Sequence, residues 1–200
     1  MSSSNSEEVL TLVEAHLLSV LGQDSGRASV TFLGTQQIDV LRFGPDGEGV
    51  TRYVTLGASR APMNDPASPV VDAVAGPRME LVLSVRARPD SVLRRLAMLA
   101  AAPAVDGVVL APGMALELGE PLWDGARFSS VLVAEPGGLI PDLELGDGRD
   151  PVRFCPVLPI TDNEAAYKRV HGPAALEEAW LQAGTDLRDP ARPEPAAILG

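Results

Sequence analysis

The stretch Ile38-Asp39-Val40-Leu41-Arg42-Phe43-Gly44-Pro45-Asp46-Gly47-Glu48-Gly49-Val50-Thr51-Arg52-Tyr53-Val54-Thr55-Leu56 decides the fold class. Two runs of β-branched, aliphatic and aromatic residues flank a segment of turn chemistry. Its glycines tolerate positive φ, its proline fixes φ, and its aspartate bonds its own backbone. This pattern predicts a β-hairpin. Residues 30–33 and 79–85 repeat the strand signal. In the second of these Met79, Leu81, Leu83 and Val85 fall on one face, with Arg78, Glu80, Ser84 and Arg86 on or near the other, so one side is expected to be core.

Upstream, Leu10, Val13, Leu17, Val20 and Leu21 recur at helical spacing before Gly22, which predicts an amphipathic helix capped by Asn5 or Ser6 after a frayed leader. Downstream, a loop rich in proline and glycine spans residues 57–77. Asp90 or Ser91 then caps a helix carrying Val92, Leu93, Leu96 and Leu99 that Pro103 is expected to end. Strands follow at 114–118, 128–134 and 152–158. Thr161 with Glu164 makes a capping box for a third helix, Gly172 closes it, and Pro173 opens a fourth. Strands joined mainly by turns, with helices at both ends and one between, predict an α+β domain: a mixed, mostly antiparallel sheet flanked by about four helices. The expected organisation is an N-terminal helix over residues 1–27 packed on the domain, the domain proper over 28–184, and a Pro-rich tail over 185–200.

The chain of 200 residues is 46% hydrophobic and 22% charged, enough apolar content for one buried core. Its net charge of -11 repels a phosphate backbone, which disfavours nucleic acid and favours a basic partner. Cys155 is the only cysteine, which excludes an internal disulfide and a multi-thiolate metal site and fits a reducing cytoplasm. No export signal or membrane-spanning run is read in the sequence, so a cytoplasmic location is expected.

Phosphate-loop, dinucleotide-binding and nucleophile-elbow patterns are absent from the sequence. His16 and His171 are read as surface residues and Cys155 as a buried structural thiol; no cofactor or metal is expected. Asp39 and Glu80 interrupt apolar strands. They either pair with Arg42, Arg52 or Arg78 across the sheet, or join Ser59 in acid–base chemistry, which gives an alternative reading as a hydrolase or small-ligand protein. A third reading is a structural subunit of an assembly.

The order 38–43, then Tyr53-Val54-Thr55-Leu56-Gly57-Ala58-Ser59, then Met79-Glu80-Leu81-Val82-Leu83 resembles the opening of a suppressor-of-fused domain. Leu96-Ala97-Met98-Leu99-Ala100, Glu120-Pro121-Leu122, Phe128-Ser129-Ser130-Val131-Leu132-Val133 and Val157-Leu158-Pro159-Ile160-Thr161-Asp162-Asn163-Glu164-Ala165 continue the pattern across residues 28–184. The chain is similar to the N-terminal domain of the animal protein, and its Arg, Ala, Gly and Pro bias suits a bacterial member. The resemblance implies a non-enzymatic domain that binds another protein. In animals that is a transcription factor whose peptide pairs as a strand between two domains, of which this chain has room for one; in bacteria it is a toxin neutralised by an immunity protein. It also implies a partner-binding surface that includes Tyr53, Ser59 and Asp65.

Overall fold

The computed structural model describes residues 2–31, 37–65, 67 and 72–199, with backbone alone for 2–4. The expected strand positions 32 and 33, and Pro66 and Pro69 of the expected loop, lie outside the described residues. The elements are α1 (Ser2–Leu21), β1 (Gly26–Thr31), β2 (Gln37–Phe43), β3 (Thr51–Leu56), a one-turn 3-10 helix (Ala58–Arg60), β4 (Arg78–Val85), α2 (Val92–Asp106), β5 (Ala115–Glu117), β6 (Ser130–Val133), β7 (Val152–Ile160), α3 (Asp162–His171), α4 (Pro173–Gln182) and α5 (Ala196–Leu199). One sheet runs in the order β1-β2-β3-β4-β7-β6-β5. Every neighbouring pair is antiparallel except the central β4–β7 pair, which is parallel with Arg78 opposite Val152. The α+β class and the mostly antiparallel sheet are as expected, with α5 a fifth helix among the described residues.

The predicted hairpin is β2–β3, with Asp39 opposite Leu56 and Phe43 opposite Arg52. Asp46 organises its turn: Oδ1 accepts from the Glu48 and Val50 N–H groups and Oδ2 from Arg52. The Val50 N–H bond, reinforced by Arg52, holds the Asp46 carboxyl down at about 2.

Both faces of the sheet are covered. On one, Val9, Val13 and Leu17 of α1 form a buried stripe at four-residue spacing over Leu41, Phe43, Val54, Val82 and Phe154. On the other, Leu96, Ala97 and Ala100 of α2 lie over Val40, Tyr53, Leu81, Leu83 and Cys155. A third cluster joins Leu132 and Ile160 to Leu176 and Trp180 under α3 and α4. The expectation that β4 has a single core side is therefore corrected: α1 closes its second face, and Glu80 and Arg78 are buried with it.

Local helix signals succeed where capping is local. Thr161 accepts from the Glu164 N–H and Glu164 from the Thr161 N–H, so the predicted capping box opens α3, and Pro173 begins α4. They fail where tertiary contacts intervene. Helix α1 starts at Ser2, and Asn5 accepts a hydrogen bond from Arg149 (2.9 Å) instead of ending the helix. Pro103 lies inside α2, which runs on to Asp106. The helix tolerates the missing donor because Leu96, Ala97, Ala100 and Ala101 are buried against the sheet, and Gly107 in the left-handed conformation ends it. Ser91 makes no cap; its hydroxyl accepts from the Asp124 N–H, and Asp90 pairs with Arg42 at 2.6 Å.

Candidate partner-binding groove

Two surface grooves meet at the N-terminal end of α1. The first, about 520 Å³, runs between Glu7, Leu10, Thr11 and Glu14 of α1 and Arg27, Gln37 and Asp39 of β1 and β2. The second, about 450 Å³, lies between the start of the long loop, from Gly57 to Asn64, and Ala100, Ala101, Pro103 and Ala104 of α2. Ser6 and Arg60 line both. The first is polar: Arg27 pairs with Glu14, approaches Asp39 at 3.7 Å, and Arg60 donates to the Gln37 carbonyl at 3.2 Å. The second is walled by small side chains, because the C-terminal half of α2 is rich in alanine.

Beneath them the backbone is held by a buried carboxylate. Glu80 is fully buried, and its Oε1 accepts from the Gly57 N–H (2.9 Å), the Ser59 N–H (3.0 Å) and the Ser59 hydroxyl (2.6 Å). Its Oε2 accepts from the Thr55 hydroxyl at 2.6 Å, while Thr55 Oγ1 takes the Leu81 N–H at 2.8 Å. The Thr55 side chain thus substitutes for a ladder bond where β3 and β4 part after Val54 and Val82. Gly57 sits at φ 139°, and a Cβ there would lie 2.9 Å from the Gln37 carbonyl oxygen, so only glycine makes this turn. Buried Arg78 completes the staple by donating to the Ser59 carbonyl (2.8 Å) and the Val74 carbonyl (3.2 Å); burial lowers its pKa. Asn64 clamps the loop through the Asp72 backbone at 3.1 and 3.0 Å.

The expected site residues separate. Tyr53 is fully buried under α2, its hydroxyl without a partner among the described residues, and burial pushes its pKa up to about 12. Ser59 is also fully buried, so neither side chain reaches the surface, because α2 and the loop cover this end of β3. Asp65 is exposed and follows Asn64 at the groove wall. Arg60 and Asn64, which line the groove, carry no distinguishing signal in the sequence.

The three groups of the hydrolase reading do not assemble. Ser59 and Glu80 are in contact but sealed, with both oxygens of Glu80 engaged, whereas Asp39 bonds Gln37 (2.7 Å) in the α1 groove. The expected pairings with Arg42, Arg52 or Arg78 are not made among the described residues: Asp39 approaches Arg27 instead, Arg42 and Arg52 pair with Asp90 and Asp46, and the Glu80 carboxylate is taken by backbone N–H and hydroxyl donors. His16 bonds the Pro141 carbonyl at 2.8 Å and stacks on Phe154. Cys155 is the buried thiol that the sequence suggests, and desolvation pushes its pKa to about 11. Iodoacetamide at pH 8 is expected to leave Cys155 unmodified in the folded protein and to alkylate it fully in urea, as mass spectrometry would report. Fast labelling of the folded form would contradict this placement.

No group of acidic, histidine or cysteine side chains fit for a metal occurs among the described residues, and no described helix is long and apolar enough to cross a membrane. Comparison with known proteins fits this architecture. No curated protein matches the sequence. A suppressor of fused homologue from Neisseria gonorrhoeae superposes with a TM-score of 0.70 at 21% identity, covering 95% of this chain and 98% of that one. A chain of a Sufu–Fu complex gives 0.63 at 12% identity, covering 98% and 93%. Drosophila Suppressor of Fused gives 0.66 at 16% identity over 95% of this chain and 51% of its own length, so the chain spans about half of that protein. The family model for suppressor of fused protein matches residues 34–193, and the chain belongs to that family.

Proposed function

We propose that the chain is a protein-binding module that takes an extended segment of its partner along β1 and into the groove beneath α1. The observation that carries this reading is the position of β1, which ends the sheet and has a ladder on one side only among the described residues. Its outer row of N–H and C=O groups is the kind of edge to which a strand adds, and alternate side chains of that strand would point toward the groove. Glu7, Glu14 and Asp39 beside Arg27 and Arg60, in a chain of net charge -11, favour a partner with basic residues. A Sufu crystallised together with Fu supports a protein as the ligand of this fold. Asp65, exposed beside the second groove, belongs to the same surface, and buried Ser59 supports the groove wall from below through Glu80.

The finer reading is immunity, with a toxin encoded beside the chain's own gene as partner. The test is hydrogen exchange on the complex with that gene product. Amides of Gly26–Thr31 are expected to slow by about tenfold or more on binding. Protection elsewhere with β1 unchanged would remove the edge-strand mode. Rescue of growth when the two genes are co-expressed would support immunity, and its failure despite binding would reject immunity while leaving the module.

A further inference from the structure

Residues 185–199 read as a tail in the sequence, yet they place Arg192 in the interior, 1% exposed. Its guanidinium donates through Nη1 to Glu164 Oε1 (2.6 Å) and through Nη2 to Glu164 Oε2 (2.7 Å) and the Pro159 carbonyl (2.8 Å). The Phe128 and Trp180 rings lie 5.0 and 5.5 Å from its Cζ. The Trp180 indole N–H and the Thr161 N–H hold the carboxylate of Glu164 from its other sides. A fork-matched carboxylate, a carbonyl and two π-faces form a receptor for a planar cation.

The carboxylate, the carbonyl and both rings come from the domain proper, while the terminal segment supplies the cation and, beside it, Glu194, which accepts from the Thr161 hydroxyl and from Asn163. A buried ion pair is weak evidence of a stabilising role, since apolar residues of similar volume often fill such a site equally well. A second feature adjoins it. Trp180 is shared with an apolar cleft of about 440 Å³ lined by Ala134, Leu158, Leu181 and Leu187, and Thr185 and Leu187 on its rim are the start of the same segment. Leu181 on its border is 76% exposed.

We propose that this is a second recognition site, for an arginine-bearing extended peptide, which the chain's own terminal segment occupies in the free protein. The partner's arginine replaces Arg192 on Glu164, and an apolar neighbour in the peptide takes the place of Leu187 in the cleft. The occupant is cationic because the carboxylate lies at the base of the receptor and a guanidinium already fits there. Apparent affinity in the native chain is lowered by the fraction of molecules in which the segment is docked.

The test uses the full chain carrying Arg192→Ala, with ethylguanidinium as probe and ethylammonium as control, and Trp fluorescence and thermal denaturation as readouts. Ethylguanidinium is expected to shift the emission and raise the Tm of the variant, with ethylammonium inert and the native protein unresponsive. Equal responses to the two cations, or none in a folded variant, would overturn the receptor. A synthetic peptide of residues 185–199 should bind the variant about tenfold or more tightly than the native chain; equal binding would overturn self-occupancy. Hydrogen exchange of the native chain covers the case in which the variant fails to fold. Amides of 189–199 should exchange about tenfold or more faster than those of β4 and β7, and exchange at the same rate would show a segment that never leaves.

Discussion

Glu80→Ala is expected to lower stability by about 3–5 kcal/mol, read as a fall in the urea midpoint at unchanged m-value. The substitution removes one carboxylate but orphans several buried donors: the Gly57 and Ser59 N–H groups and the Thr55 and Ser59 hydroxyls. Each unsatisfied buried donor costs about 1–3 kcal/mol, and the total is less than the sum because the turn relaxes. A cavity at a fully buried position adds to the loss. Glu80→Gln keeps an acceptor for the Gly57 and Ser59 N–H groups and should lose less, about 1–3 kcal/mol. A Glu80→Ala protein within about 0.5 kcal/mol of the native one would show that the carboxylate does not hold this turn.

The second large effect falls on the residue that Glu80 grips. Gly57→Ala is expected to destabilise by about 2–5 kcal/mol, combining about 1–3 for a side chain in a glycine-only region with a similar steric term. The steric term is firm because the new Cβ meets backbone: the Gln37 carbonyl oxygen at 2.9 Å and the Ile38 Cα at 3.3 Å. Relief by a moving side chain is therefore excluded. Because Gly57 also donates to Glu80, the double variant should lose less than the two single losses together. Additivity in the urea series would indicate that turn geometry and carboxylate act independently. Both variants should also weaken partner capture, because the same turn carries Arg60, which lines the groove beneath α1.

What could be read from sequence divides along the range of the interaction. The β2–β3 hairpin and the Thr161–Glu164 capping box depend on residues a few positions apart, and their chemistry is visible in the order of letters. The burial of Glu80 was not visible, because it follows from α1 covering a face that alternation alone leaves to solvent. Composition misled in residues 185–199, where proline, aspartate and arginine read as tail although one arginine finds an acid presented by α3. The family resemblance named Tyr53 and Ser59, whose side chains are buried, while the groove past the end of β3 is lined by Arg60, Asn64 and the alanines of α2. Small side chains that line a groove carry no mark in a single sequence.

The parallel pair at the centre of the sheet has a kinetic meaning. Strands β1–β4 form one antiparallel meander and β5–β7 another, each built from pairings between consecutive strands. Only the β4–β7 ladder joins them, and it brings together Arg78 and Val152, residues far apart along the chain. Closing that ladder brings together the ends of a long loop, so it costs more chain entropy than any hairpin within either meander. The two meanders are thus the natural early units of assembly, and the seam between them is where folding is completed.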